Sequence, residues 1–133
     1  MSGRLRVTGG DRGAAAIEFA LVSMLLTLFL LGMLQFGLIL FDWQQIVRSA
    51  QEGARWAALG EDASTVDSRV DAAAAPLVPK RVEISPEDYA SRPGDPVTVT
   101  VYYDVAVIAP LMEDILRASG VKEIRASATQ MVE

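Results

Sequence analysis

Cysteine and histidine are both missing from the 133 residues. Without them there is no disulfide framework, no thiolate or imidazole metal ligand, no cysteine nucleophile and no histidine general base, so most familiar enzyme chemistry is excluded together with cofactor and metal roles built on those groups. An exported protein is permitted disulfides but not obliged to have them, and the missing cysteines therefore do not identify a compartment. Charge is missing from one long stretch. Phe19 to Phe41 contains no Asp, Glu, Lys or Arg, and Ser23, Thr27 and Gln35 are its only strongly polar residues. A concentrated basic surface is lacking as well: formal charge is -5 and the portion from Asp42 onward is acidic, which argues against nucleic acid as a partner. There is no internal repeat and no low-complexity tract.

What is present begins with that uncharged run. A helix over Phe19–Phe41 is roughly 35 Å long at about 1.5 Å per residue, enough to cross a hydrocarbon core of about 30 Å with some tilt. A cleaved secretory signal has a shorter apolar region followed by a small-residue cleavage site, whereas this run continues into polar helix and is expected to stay attached. Arg4, Arg6 and Arg12 precede it, with Asp11 the only acid among residues 1–13, and acidic residues follow it. That asymmetry predicts a cytoplasmic N-terminus and an extracytoplasmic domain after Asp42.

The helix is expected to outlast the membrane and become amphipathic. Trp43, Ile46 or Val47, Ala50, Ala54 and Ala57 recur at helical spacing, with Asp42, Gln44, Gln45, Arg48, Gln51 and Arg55 on the other side. Arg48 with Glu52, and Glu52 with Arg55, are spaced to pair, and Gly60 is a plausible stop. Ser64-Thr65-Val66-Asp67 resembles a capping box opening a second helix through Ala75, before Pro76. Arg81–Ser85 and Val97–Ile108 read as strands, the second with Val97, Val99, Val101 and Tyr103 on one face. Between them Ser91 to Pro96 is turn chemistry. Pro110 begins a helical turn with Leu111, Met112, Ile115 and Leu116 that stops near Gly120, and Lys122 to Val132 reads as a third strand with Ile124, Ala126, Ala128 and Val132 on one side.

A three-stranded antiparallel sheet has an apolar face that must be covered, and the amphipathic half of the long helix is available to cover it. The predicted fold class is therefore α+β: a long N-terminal transmembrane helix running into a small domain with a short antiparallel sheet, a pilin-like plan. A transmembrane helix ending at residue 41 and an extracytoplasmic domain over 42–133 follow from this reading.

Immediately before the apolar run stands Arg12-Gly13-Ala14-Ala15-Ala16-Ile17-Glu18-Phe19. This resembles the processing site of type IV pilin-like precursors, in which a prepilin peptidase cuts after the glycine and the fifth mature residue is Glu. The continuation resembles the TadE-like family of tight-adherence (Flp-type) pseudopilins. It has Glu18-Phe19-Ala20-Leu21-Val22, then Gln35-Phe36-Gly37 deep in the helix, then Ala50-Gln51-Glu52-Gly53-Ala54-Arg55, a similarity covering roughly residues 12 to 59. Specificity lies in the ordered combination, since each short piece alone is weak. Met24 departs from the family, which commonly has Pro there, and removes the reason for a kink.

The resemblance implies a minor pilin or pseudopilin cleaved between Gly13 and Ala14, with Glu18 and Phe19 completing the processing motif, residues 1–13 as a cytoplasmic leader and 14–41 as the transmembrane helix. A peptidase at the cytoplasmic face must reach an extended, flexible bond, and Gly13 flanked by Gly9, Gly10 and Arg12 is expected to offer one. Its implied partners are the membrane, a prepilin peptidase, other pilus subunits and the inner-membrane assembly platform, and its implied place is the inner membrane or the pilus itself. Cleavage creates an α-amino group on Ala14, and Glu18 four residues on shares its helical face, where a lone carboxylate at an apolar boundary is costly. An amine from the same or a neighbouring subunit compensates it, which gives Glu18 a role in assembly.

Plainer readings stand beside these. Glu18 is also what the edge of an ordinary anchor carries. Gln35 is either an interhelical hydrogen-bonding group in an assembled bundle or a tolerated amide. Arg55 is either a solvated residue or a partner for an acidic neighbouring subunit. Phe41 and Trp43 read as interface anchors, Trp56 as core, and Tyr89, Tyr102 and Tyr103 as packing. Glu87 with Asp88, or Glu113 with Asp114, are examples of acid pairs an enzyme could use, and neighbouring acids on turns are usually solvated. The expectation is no enzyme and no cofactor. An unprocessed bitopic accessory protein of a secretion or envelope complex is the alternative function.

Overall fold

In the computed structural model, which describes residues 9–108, 110–119 and 123–133, the helix α1 runs without interruption from Gly9 to Ala58. The first proline of the chain is Pro76, so no residue of α1 removes a helical N–H or clashes with the preceding turn. An extended, flexible approach to Gly13 was the expectation, and it does not form: Gly9 to Gly13 are already helical. Adding a residue to an existing helix is cheap, and Ala14, Ala15 and Ala16 are the best formers available, so the helix propagates back through the glycines. Arg4 and Arg6 of the leader lie outside the described residues.

Packing divides the chain after Leu34. Up to that point α1 shows lipid-like side chains to its surroundings, Phe19 being 74% and Leu25 70% exposed. It is the one helix among the described residues long and apolar enough to cross a membrane, with mean hydropathy 2.3 over its best window and 6% of that window buried. A core helix of a water-soluble protein would bury such a face.

The second unit, Gln35–Glu133, holds the rest of α1 and every other element. These are α2 (Ala63–Ala74), β1 (Arg81–Ser85), a 3-10 turn at Tyr89–Ser91, β2 (Pro96–Asp104), α3 (Pro110–Ser119) and β3 (Glu123–Met131). The strands form one antiparallel sheet in the order β1-β2-β3. Val82 pairs with Val101, Ile84 with Val99, Val99 with Ala128, Val101 with Ala126 and Tyr103 with Ile124, which gathers the predicted apolar residues on one face. The opposite face carries hydroxyl pairs, Thr98 with Thr129 at 2.8 Å and Thr100 with Ser127 at 2.9 Å.

Ile46, Ala50, Ala54 and Ala57 of α1 are buried together with Val66, Val70 and Ala74 of α2 and Val97, Val99 and Val101 of β2, so the amphipathic part of α1 belongs to the core that the sheet needs. Small side chains let the helix come close. A Cβ on Gly53 would meet Val70 Cγ2 at 2.5 Å and Val99 Cγ1 at 3.0 Å, so this glycine is where α1, α2 and β2 converge.

The predicted stop is in place. Gly60 has φ +79°, its N–H donates to Ala57 O at 3.0 Å and the Glu61 N–H donates to Trp56 O at 3.4 Å, the paired bonds of a left-handed helix end. The N–H of Glu133 donates to Ala58 O at 2.8 Å, satisfying a further terminal carbonyl.

Three local expectations are corrected. Asp62, not Ser64, holds the N-cap position of α2: the helix starts at Ala63, and the hydroxyls of Ser64 and Thr65 both donate to the Asp62 carboxylate. These bonds, Ser64 first, hold the Asp62 carboxyl down to about 2. Glu52 pairs with neither Arg48 nor Arg55; it accepts the Trp56 indole N–H at 2.8 Å, and Arg69 stacks over that ring at 4.2 Å. β2 ends at Asp104, not at Ile108, because residues 105–108 leave the sheet for Gln35. Gly120 and Lys122 lie outside the described residues, as do the side chains of Leu111, Met112, Ile115 and Leu116, although the helix containing them is present.

Candidate functional site

The residues singled out in the sequence all fall on α1, in three groups separated along its length. Gly13, Ala14, Glu18 and Phe19 form the first, all exposed on consecutive turns. Ala14 and Glu18 are one turn apart on the same side of the helix. A Cβ on Gly13 would meet nothing within 4 Å, and no positive φ is required there. Gly13 has no folding reason to be glycine, in contrast to Gly53.

Gln35 is the second. It is 1% exposed, the deepest-buried polar side chain of the charge-free run. Its amide Nε2 donates to Ala106 O at 2.9 Å, and its Oε1 accepts the Ile108 N–H at 2.9 Å. The side chain thus does for residues 106–108 what a neighbouring strand would do, taking one carbonyl and one N–H. Its partner is the chain's own backbone in place of another helix. Sequence periodicity does not reveal this contact, because the two sides are more than seventy residues apart; the one available signal is that Val97–Ile108 is too long for a strand of ordinary length.

Arg55 belongs to the third. With Arg48, Gln51 and Glu52 it lines an open groove of about 510 Å³ whose far wall is Ser127 to Gln130 of the edge strand β3. Arg48 and Arg55 lie two turns apart, and among the described residues neither has an ion-pair partner. Sequence spacing offers Arg48 a pairing with Glu52, but the Trp56 indole takes that carboxylate instead.

On the β1 side of the sheet a second open groove, of about 860 Å³, is lined by Asp67, Glu83 and Glu87 with no basic residue in its wall. Burial, then the nearby Asp71 charge, raises the Asp67 carboxyl above its ordinary value. The acid pairs weighed for catalysis are surface features: Asp88 accepts from Arg92 at 2.7 Å and Glu113 from Arg117 at 2.5 Å, each one helical turn along.

Residues 13–55 match the model of the TadE-like protein family. Comparison with curated proteins and with solved structures finds no match. The matched stretch is about a third of the chain, runs from Gly13 through Gln35 to Arg55, and contains all three groups. Over residues 13–55 this chain is similar to the TadE-like proteins.

Proposed function

We propose that the protein is a minor pilin or pseudopilin of a tight-adherence (Flp-type) pilus, cut between Gly13 and Ala14 by a prepilin peptidase and acting by binding in pilus assembly, priming or adhesion. The observation that carries this reading is that one family-matched segment includes both the Gly13–Phe19 motif and the Ala50, Gly53, Ala54 face that packs against the domain core. Membrane helix and packing spine are one element, as a subunit that must leave the bilayer with its domain attached requires. Gly13 supports the cleavage site because a glycine in a helix costs about 1 kcal/mol relative to alanine, and here no close approach or turn compensates it. Gly9, Gly10 and Gly13 together leave this end of α1 easy to open for a peptidase at the cytoplasmic face.

In this reading the domain is extracytoplasmic, and it is a binding module, not an enzyme. Glu18 registers the incoming subunit by compensating the new α-amino group of Ala14 on its own or a neighbouring chain. Arg48 and Arg55 receive an acidic segment of another pilus subunit beside the β3 edge. The alternative, an unprocessed bitopic accessory protein of an envelope complex, is favoured by the helix already being formed from Gly9 through the cleavage position. Intact mass of the membrane-extracted protein, from cells with and without the peptidase, separates the two. An N-terminus at Ala14 only when the peptidase is present is expected; Met1 or Ser2 in competent cells would falsify the pseudopilin reading.

A further inference from the structure

Two stretches of the chain, far apart in sequence, lose their charges at the same level. Along α1 the last charged residue before the apolar run, approached from the domain side, is Asp42. Along the strand that follows, the last is Asp104, after which Val105 to Met112 carries no charge until Glu113. Gln35 ties the two stretches together, holding Ala106 and Ile108 at its own height on α1. At about 1.5 Å per helical residue and about 3.3 Å per extended residue, Asp42 and Asp104 each stand roughly 7–10 Å from the Gln35 level.

Below them the surface is apolar on both stretches. Phe36, Leu40 and Phe41 of α1 are exposed, as are Val107 and Ile108, the latter at 64%. A half-exposed valine and an exposed isoleucine, tied through Gln35 to the level of exposed phenylalanines, suit a loop at a bilayer surface. A loop at that depth has one further requirement, since backbone groups outside regular structure find no water to bond there and need a partner in the protein. The Gln35 amide supplies that partner, one donor and one acceptor, and is itself shielded.

We infer that Gln35 marks the outer boundary of the membrane hydrocarbon, and that the uncharged loop Val105–Ile108 is a second lipid contact which the Gln35 clamp holds against the bilayer surface. The eight uncharged residues from Val105 to Met112 are too few to cross a bilayer, so the contact is interfacial. Phe41 and Trp43, one and a half to two turns further out, then fall in the headgroup layer where aromatic belts sit. Asp104 is exposed and joined to Lys80 at 3.1 Å, and Asp42 is half-buried. The inference rests on α1 being a membrane helix but needs neither cleavage at Gly13 nor assembly into a fibre.

The missing cysteines make the test direct. Single cysteines replacing Leu25, Thr98, Val107 or Ile108 in the full chain are labelled with a nitroxide after reconstitution in phosphatidylcholine–phosphatidylglycerol vesicles, and collision with oxygen is compared with collision with a water-soluble nickel chelate. Leu25→Cys reports insertion and Thr98→Cys the aqueous sheet face. The oxygen-to-nickel ratio at 107 and 108 is expected to lie several-fold above that at 98. Adding Gln35→Leu should lower the ratio at 108 toward the aqueous value while the ratio at 25 holds, because the freed Ala106 carbonyl and Ile108 N–H seek water. A ratio at 108 equal to that at 98, in vesicles where 25 is lipid-buried, overturns the lipid contact. A ratio at 108 unmoved by Gln35→Leu overturns the clamp. The intact-mass measurement of cleavage is independent of both results.

Discussion

Val70 Cγ2 stands 2.5 Å from where a Cβ on Gly53 would be, so α1 and α2 touch at a point that admits no side chain. Gly53→Ala is expected to destabilise the domain by about 1–3 kcal/mol, the usual cost of overpacking, in spite of the roughly 1 kcal/mol that alanine gains in helix propensity. Val70 is β-branched and cannot swing aside without leaving its preferred rotamer. Gly13→Ala, in the same helix with open space around it, should leave the melting temperature of the domain unchanged. Denaturant melts of the two variants decide it; equal stability would mean that α1 does not approach α2 as closely as described.

At the other end of the helix, Gly13→Val is expected to leave a full-length precursor that still inserts, since nothing in the fold opposes a larger side chain there. Immunoblots of membranes with antibody against the domain resolve precursor from mature chain. A normal ratio of the two in the Gly13→Val strain would move the cleavage site elsewhere.

Glu18→Ala makes the helix more apolar, so membrane content should hold while incorporation into the pilus falls. Normal pilus number and normal co-purification with other pilus subunits would remove Glu18 from assembly.

Arg48→Glu combined with Arg55→Glu changes an exposed surface whose guanidinium groups have no ion partners among the described residues, so domain stability should stay within about 0.5 kcal/mol. Capture of partner subunits should weaken, and the wild-type complex should itself weaken with added salt. Undiminished capture by the double variant would leave the groove without a role.

Asp62 gives a pH dependence with a definite sign. Its folded carboxyl is held down to about 2 by the Ser64 and Thr65 hydroxyls, below the unfolded value near 4, so its contribution is present above about pH 4 and lost as pH falls through 2. Wild type and Asp62→Ala should differ in melting temperature at neutral pH, and part of that gap should close between about pH 4 and pH 2. A gap that stays constant across this window would mean the carboxylate is not bonded to the two hydroxyls.

Local chemistry was legible in the sequence wherever one segment decided it. The apolar helix, the Ile46, Ala50, Ala54, Ala57 face, the Gly60 stop and the alternation of β2 and β3 each depend on residues a few positions apart. What was not legible depends on groups brought together by folding. Glu52 had two arginines at pairing distance in sequence and takes an indole, since Trp56 lies one turn on and Arg69 arrives from α2 to hold its ring. The end of β2 at Asp104 is not readable from the sequence, because valine and isoleucine look alike in a strand and in an apolar loop, and only Gln35 distinguishes them. At the N-terminal site, residue types alone suggested a flexible approach to Gly13, whereas helix propagation from three alanines prevails.

The Gln35 clamp also couples two segments that would otherwise choose their depth independently. Were the outer edge of the hydrocarbon at Gln35, a bilayer that thinned or thickened there would move the 105–108 loop and the neighbouring turn of α1 together, because one amide holds both.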